Sequence, residues 1–251
     1  MDKLNLLIKS WVKGSIKLSS HLIHNGYSKE LLQKYVKSNW LDSLGYGAYK
    51  LSEDKVDWFG AVEALQTQKN SIIRPGGKTA LELLGYAHYP RQKQTQVNLY
   101  SNYDDKLPAW FKKQSWSHII NFTQTKVLNY TSESHFTKFE RNNIAVKIST
   151  PELAIMEMLY LVPTRQTFTE TFEILEGLTA LKPKLVQRLL EECKSIKVNR
   201  LFLFMAEVSK HNWVKELNIE KINLGSGKRV IIKNGVLDKK YKITVPKRYE
   251  R

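Results

Sequence analysis

The 251-residue sequence has one cysteine, Cys193, and no apolar run approaching the roughly 20 residues that a membrane-spanning helix needs. A single cysteine excludes a disulfide bond within the chain, which is typical of proteins in a reducing compartment. The first residues, MDKLNLLIKSW, carry too short an apolar run for a signal peptide. We therefore expect a cytoplasmic protein that does not cross a membrane, with Cys193 buried on a helix.

Acidic residues are scarce, since 24 Asp and Glu stand against 40 Lys and Arg, giving a net charge of +16. The excess is concentrated at the two ends of the chain. Residues 1–52 hold 8 Lys and 3 acidic residues, and residues 194–251 hold 15 Lys and Arg and 5 acidic residues. Such a surplus favours a polyanionic partner, either nucleic acid or an anionic membrane surface, over a purely solubilising role for the lysines.

Motifs for catalysis and for metal binding are also scarce. No Gly-x-Ser-x-Gly motif occurs. His21 and His24 are three residues apart, but no further ligands stand nearby, so we expect solvated or groove-facing histidines, no metal and no cofactor. Glu192, Cys193 and Lys194 have the Glu-x-Lys form of metal-dependent nucleases, although at a predicted helix end. A nuclease is therefore kept as the alternative to a non-enzymatic binding protein.

The stretch NLGSGKRVIIKNG, residues 223–235, has only a superficial likeness to a phosphate-binding P-loop. A P-loop would place glycine at position 222, where Ile222 stands, and a hydroxyl after Lys228, where Arg229 stands. The residues that follow favour strands rather than a helix, with a type I′ hairpin turn at Asn234-Gly235. This pattern predicts a tight turn entering a strand rather than a site of nucleotide hydrolysis.

The first 40 residues carry three helical patterns. Leu4, Leu7, Ile8 and Trp11 have the spacing of one helix face, and Leu18, Leu22 and Ile23 have the spacing of a second. Gly26 supplies a left-handed helix stop and Ser28 an N-cap for a third helix, whose apolar positions are Leu31, Leu32, Tyr35 and Val36.

A hairpin is predicted directly after the third helix. Two short extended runs flank Gly45-Tyr46-Gly47, and helices followed by such a hairpin form a winged helix, whose third helix enters the major groove of DNA. We therefore expect DNA contacts from the third helix and from the wing. The candidates are Ser28, Lys29, Gln33, Lys34 and Lys37 on the helix, and Tyr46 and Lys50 in the wing.

Several ordered segments resemble the AbiEi family of antitoxins. They begin with GGKTALELLGYAHY at residues 76–89 and LPAW at residues 107–110. The resemblance continues at STPELAIMEMLYLVP, CKSIKVNRLFLFMAE, LGSGKR and YKITVP, between residues 149 and 246. It covers nearly the whole chain and implies a transcriptional repressor that binds inverted repeats in its own promoter. It also implies a C-terminal domain that opposes a nucleotidyltransferase-like toxin, without requiring a stable complex.

These observations predict an α/β (α+β) protein with a winged helix followed by a larger mixed α/β domain. The expected domains are residues 1–52, connecting helices at 53–90, and an antitoxin domain at 91–251. Helices are expected near 150–161, 167–178, 183–194 and 197–209. Basic residues of the last domain form the candidate antitoxin surface, namely Lys197, Arg200, Lys228, Arg229 and Lys240. Arg200 stands at the start of an otherwise apolar helix. Its side chain is either anchored by the protein and directed at a partner, or paired with an acid such as Glu207.

Overall fold

The computed structural model describes residues 2–86, 96–128 and 132–250. The expected domain boundary at residues 90–91, and His88 and Tyr89 of the family-like stretch, lie outside the described residues. The chain divides into two compact units. Among the described residues, unit 1 comprises 2–74, 96–124 and 138–147, and unit 2 comprises 75–86, 125–128, 132–137 and 148–250.

Helices and strands alternate irregularly along the chain, as expected for a mixed α/β protein. The helices are α1 Lys3–Lys9, α2 Ser19–His24, α3 Lys29–Lys37, α4 Trp58–Lys69, α5 Gly77–Leu83, α6 Ala109–Lys112, α7 Pro151–Leu161, α8 Phe168–Gly177, α9 Pro183–Glu192 and α10 Ile196–Val208. The strands are β1 Lys17–Leu18, β2 Leu41–Ser43, β3 Ala48–Leu51, β4 Arg74–Pro75, β5 Gln96–Ser101, β6 Ile119–Gln124, β7 Phe136–Arg141, β8 Ile144–Ser149, β9 Val236–Asp238 and β10 Ile243–Val245.

Unit 1 begins with three helices and a small antiparallel sheet of order β1-β3-β2. Burial of one face of each helix creates a common core, which contains Leu7, Trp11, Leu22, Leu32, Tyr35 and Leu41. The predicted helix stop at Gly26 is confirmed by its φ of +86°, a conformation in which a side chain would be strained. The predicted cap is confirmed as well, because the hydroxyl of Ser28 accepts from the amide of Leu31 at 3.2 Å.

The sequence pattern was wrong about the start of the second helix. Leu18 lies in β1, where it pairs with Ala48, and α2 begins one residue later. Ile23, expected on the buried face, is 39% exposed. The two-residue strand is too short to give an alternating pattern, so its partner in β3 decides the conformation of this segment.

The rest of unit 1 begins with α4. Asp57 caps this helix by accepting from the amides of Phe59 and Gly60. Strands β5 and β6 are parallel and are connected through α6, and β4 completes their sheet at the other edge of β5. Strands β7 and β8 form a separate two-stranded sheet, of which residues 138–147 belong to unit 1. The two residues between these strands, Asn142 and Asn143, both have positive φ.

Unit 2 is built around α7, a helix that is buried on nearly every side and packs against α5, α8, α9 and α10. The four helices expected near residues 150–209 are confirmed at α7 to α10. Thr150 caps α7 and Pro151 occupies its first turn. Cys193 directly follows α9, and its thiol is buried as expected, with 4% of the residue exposed.

The predicted hairpin at Asn234-Gly235 is wrong. Within the described C-terminal residues, β9 follows this turn and pairs with β10 farther along the chain. Residues 230–232 form no strand, because the hydroxyl of Thr244 accepts from the amides of Ile231 and Ile232 and so replaces strand hydrogen bonds. Gly235 lacks the positive φ that a type I′ turn requires. It is glycine for another reason, since a Cβ there would lie 2.4 Å from the carbonyl oxygen of Val245.

Candidate nucleic-acid interface

The exposed side of α3 carries the five residues predicted for DNA contact on this helix. Its opposite side is buried through Leu32 and Tyr35, which fixes the direction in which the polar side chains project. We define the α3 face as the exposed residues Ser28, Lys29, Gln33, Lys34 and Lys37. The helix therefore presents three lysines and one amide side chain to solvent on a rigid support.

Three side chains of the α3 face are free to engage a ligand. Within the part of the chain that the structure describes, Gln33, Lys34 and Lys37 make no hydrogen bond or ion pair through their side chains. Glu30 is the one acidic residue of α3, and hydrogen bonds from its own backbone amide and from Ser28 lower its pKa. Ser28 is engaged within the helix start, since its oxygen caps α3 and its hydroxyl hydrogen-bonds Glu30.

The hairpin of β2 and β3 forms the second element of the interface. Tyr46 lies at its tip and is 97% exposed. Gly45 and Gly47 flank it with φ of +115° and +86°, so the tip takes a conformation that other residues rarely adopt. The structure thus places Tyr46 where the sequence predicted it, in the turn between β2 and β3.

Lys50, the other predicted wing residue, does not present a free ammonium group. Its Nζ lies 2.7 Å from the carboxylate of Asp42 and donates to the carbonyl oxygen of Asp54 at 2.8 Å. The hydrogen bond from Lys50 is the main reason why the pKa of Asp42 is lowered. Lys50 therefore cross-links β2 and β3, a role that depends on strand register and could not be inferred from the sequence alone.

The hairpin loop is also held by the α6 segment, residues 109–114, which comprises α6 and the two residues after it and which was not predicted to bind DNA. Nε2 of Gln114 donates to the carbonyl oxygen of Leu44 at 2.6 Å. Trp110 packs beneath the loop, where a Cβ on Gly45 would lie 3.5 Å from the Cβ of the tryptophan. The only sequence feature that pointed here was the LPAW segment, which ends at Trp110.

The predicted antitoxin residues of unit 2 fall into buried and exposed groups. Arg200 is 2% exposed and donates to three carbonyl oxygens, those of Leu224, Gly227 and Lys242. The expectation that it belongs to an exposed surface is therefore wrong, because its guanidinium is used to hold two loops together. Burial and the nearby Arg229 lower its pKa. Of the two possibilities considered, anchoring is confirmed and pairing with Glu207 is not.

Lys197 is likewise engaged with the protein itself. Its ammonium donates to the carbonyl oxygens of Tyr160 and Val162 at 2.7 and 2.6 Å, at the end of α7. This arrangement satisfies carbonyl groups that a helix leaves unpaired at its C-terminus. Partial burial lowers the pKa of Lys197.

The other predicted residues, Lys228, Arg229 and Lys240, are exposed. Arg200 brings their two loops together, and the amide of Arg229 donates to the carbonyl oxygen of Lys242 at 2.9 Å. Lys240 forms an ion pair with Glu207 at 2.5 Å. We define the C-terminal basic patch as Lys228, Arg229, Lys240 and Lys242, four exposed cations on neighbouring loops.

In the part of the chain that the structure describes, no cluster of catalytic groups supports either the nuclease or the P-loop interpretation. Among the described residues, no group of three or more His, Cys, Asp and Glu side chains is arranged to hold a metal ion. Glu192 ends α9 and lies 3.5 Å from His135, so the Glu-x-Lys triplet stands at a helix end, as its sequence suggested. Gly225 has positive φ, and a bridge at Arg229, rather than a helix, follows the glycine-rich stretch. No described helix is long and apolar enough to cross a membrane.

Two family profiles together match most of the chain. Residues 1–92 match the profile described as "Transcriptional regulator, AbiEi antitoxin N-terminal domain". Residues 94–246 match the profile described as "Transcriptional regulator, AbiEi antitoxin, Type IV TA system". These matches define the class of the protein as a transcriptional regulator of toxin–antitoxin systems. More particularly, the chain belongs to the AbiEi family of type IV antitoxins, as its sequence segments indicated.

A solved structure supports the fold independently. The crystal structure of the RV2827C protein from Mycobacterium tuberculosis matches with a TM-score of 0.65 and 12% sequence identity, covering 96% of this chain and 88% of that chain. At this identity the likeness concerns the fold alone. Among curated proteins no match was found.

Proposed function

We propose that residues 2–52 form a winged helix that binds double-stranded DNA in the protein's own promoter and represses its operon. The observation that carries this proposal is the α3 face, a row of exposed and largely unpaired cationic side chains on a helix whose other side is buried. The order of elements supports it, since a three-stranded sheet with a projecting hairpin follows the helices. Family membership supports the regulatory role.

Each side chain of the α3 face has a chemical role in this proposal. Lys29, Lys34 and Lys37 neutralise phosphates, which supplies affinity but no sequence information. Gln33 carries the donor and acceptor pair that matches the major-groove edge of adenine. Tyr46 contacts the backbone or the minor groove from the hairpin tip. Lys50 supports the wing rather than the DNA, because Asp42 already neutralises it.

The second part of the proposal concerns unit 2. We infer that it opposes a nucleotidyltransferase-like toxin in the cytoplasm, without the need for a stable complex, and that the C-terminal basic patch contributes to this. The patch is supported by its four exposed cations and by the buried Arg200 that fixes the loops beneath them. Arg200 and Lys197 act here as structural residues.

DNA binding is tested by fluorescence anisotropy with a labelled duplex from the region upstream of the gene. The protein is expected to bind this duplex more tightly than a scrambled one. The logarithm of the association constant should fall linearly with the logarithm of salt concentration, with a slope of about −3 or steeper if three lysines each contact a phosphate. Equal binding to both duplexes would show that the protein does not recognise an operator sequence. Absence of binding to either duplex would contradict the proposed DNA binding itself.

The antitoxin role is tested by co-expression with the neighbouring nucleotidyltransferase-like gene. Reversing charge at Lys228, Arg229 and Lys242 to Glu should abolish protection from the toxin while operator binding persists; Lys240 is left unchanged because it pairs with Glu207. The matched control reverses charge at Lys184, Lys215 and Lys221, which are also exposed in unit 2. Protection that survives in the first variant, or is lost equally in the control, would contradict a role for the C-terminal basic patch.

A further inference from the structure

The hairpin loop and the α6 segment form one structural element within unit 1, although about 65 residues of sequence separate them. The amide side chain of Gln114 bridges the two, since it donates both to the carbonyl oxygen of Leu44 and to that of Trp110. Trp110 is 5% exposed and Leu44 is 9% exposed, so both are buried at the base of the loop. The tip at Tyr46 thus projects from a base that α6 helps to build.

Helical geometry then decides which lysine of α6 lies beside the hairpin loop. Lys113 is the C-cap of α6 and has helical backbone angles, so it lies on the same side of the helix as Trp110, three residues earlier. Trp110 defines that side as the one against the hairpin loop, and the next residue after Lys113, Gln114, donates to Leu44 of that loop. Lys113 therefore lies on the hairpin side, and it is exposed.

Lys112 lies on the other side of the same helical turn. It lines a cleft with Phe111, Trp116 and His118, and Gln114 lines part of the same cleft. Since about 200° of helix rotation separates positions 110 and 112, its ammonium projects in a different direction. Lys112 and Lys113 are thus adjacent exposed lysines of equal charge that project in different directions.

We propose that the α6 segment is part of the DNA interface, with Lys113 contacting a phosphate next to the wing, and with Trp110 and Gln114 as positioning residues that hold the wing. This inference rests on the proposed DNA binding by α3. It extends the interface to a part of the chain beyond the predicted winged helix. The ligand is the phosphate backbone of the same duplex.

Charge and continuity favour DNA over another partner for this surface. The Lys113 side chain makes no ion pair or hydrogen bond to any described residue, so its charge is not neutralised within the protein. It adjoins the loop that carries Tyr46, which has no apolar neighbour covering it and is 97% exposed. A protein partner would call for a buried apolar centre, whereas an exposed cation beside a projecting loop fits a wet, phosphate-lined interface.

The test compares Lys113→Ala with Lys112→Ala in the full chain, using the operator duplex and a salt titration. Loss of one phosphate contact should reduce the salt slope of Lys113→Ala by about 0.9 and weaken binding several-fold. Lys112→Ala should keep the slope of the parent, and Lys113→Arg should restore it. Circular dichroism confirms that each variant is folded.

The outcomes separate this inference from the proposal beneath it. If the parent protein does not bind the duplex, the proposed function fails and this inference falls with it. If the parent binds and Lys113→Ala keeps the parental slope, α6 is not part of the interface. Equal losses in both alanine variants would indicate a general effect of net charge and would also overturn the inference.

The positioning role of Gln114 is tested by a separate measurement, hydrogen exchange in the free protein, to which phosphate contacts do not contribute. Gln114→Ala should accelerate hydrogen exchange at the amides of Leu44 and Ala48 in the free protein, while the amides of α3 keep their protection. Operator binding should weaken without a change in salt slope, because no phosphate contact is lost. Unchanged exchange at the wing would show that Gln114 does not hold it.

Discussion

Nε of Arg200 donates to the carbonyl oxygen of Leu224 at 2.5 Å, inside unit 2 and across 24 residues of sequence. The same guanidinium reaches Gly227 and Lys242, so one buried side chain fixes the loop before Arg229 and the turn between β9 and β10. A planar fork with several donors suits this task, which a single ammonium group would not perform.

Arg200→Ala should therefore destabilise the protein by roughly 2–4 kcal/mol, because it leaves carbonyl groups buried without their donor. Urea unfolding measures the loss. Limited proteolysis should show new cleavage after Lys228 or Arg229 in the folded variant. The free energy of unfolding of Arg200→Lys should lie between those of the parent and Arg200→Ala. A loss below about 0.5 kcal/mol would place Arg200 among ordinary surface residues.

Gly60 and Gly177 offer a matched pair of glycines within helices. A Cβ at Gly60 of α4 would lie 2.0 Å from the carbonyl oxygen of Gly14, whereas a Cβ at Gly177 of α8 would meet nothing within 4 Å. Gly60→Ala should destabilise unit 1 by roughly 2 kcal/mol or more through this clash. Gly177→Ala should stabilise unit 2 by up to about 1 kcal/mol through helix propensity. Thermal unfolding that gives both changes the same sign would contradict the packing of α4 on Gly14.

The α3 face is tested by Lys34→Ala combined with Lys37→Ala. Removing two phosphate contacts should reduce the salt slope of operator binding by about 2 and weaken affinity for all sequences alike. Gln33→Ala should leave the slope unchanged and relax the preference for the operator over a scrambled duplex. The control replaces Lys69 and Lys138, two exposed lysines elsewhere in unit 1. A double variant with the parental slope would exclude α3 as the helix that binds DNA.

Lys50→Met should weaken the structure of the wing rather than remove a contact with a DNA phosphate. It removes the ion pair with Asp42 and the hydrogen bond to the carbonyl of Asp54, at an expected cost of about 1 kcal/mol. Since Lys50 lowers the pKa of Asp42, this pair stabilises the fold above the unfolded-state pKa of the carboxyl group, and the effect is lost as pH falls through the lower native value. Acid unfolding should show a smaller pH dependence in the variant. If the salt slope of operator binding instead fell by about one in Lys50→Met, Lys50 would be a phosphate ligand.

Cys193 gives a prediction at high pH. Burial raises the pKa of its thiol to about 11, so a thiol reagent at neutral pH should react slowly with the native protein and rapidly in urea. The unfolded thiol ionises near its ordinary pKa of about 8.5, so folding stability should decline as pH rises from there toward 11. Cys193→Ala should not show this decline in stability, because it has no thiol to ionise. Rapid labelling of the native protein would show that the thiol is accessible.

Local patterns in the sequence predicted much of this fold. The spacing of apolar residues located α1 and α3, and the four helices expected near residues 150–209 are present. The cap at Ser28 and the glycines around Tyr46 located the start of α3 and the hairpin turn. The exposed α3 face could be predicted in the same way, because the buried stripe of a helix also fixes its opposite side. The family was recognisable because its segments recur in order along the chain.

Partners distant in sequence decided the rest. Thr244 satisfies the amides that were expected in a hairpin at Asn234-Gly235, and Asp42 neutralises Lys50 through the register of β2 and β3. Arg200 and Lys197 were recognised as basic residues, but only the carbonyl oxygens around them show that they are structural. A residue's type and spacing determine what it can bond to; which donor or acceptor it meets depends on segments that folding brings together, and these leave no local pattern in the sequence.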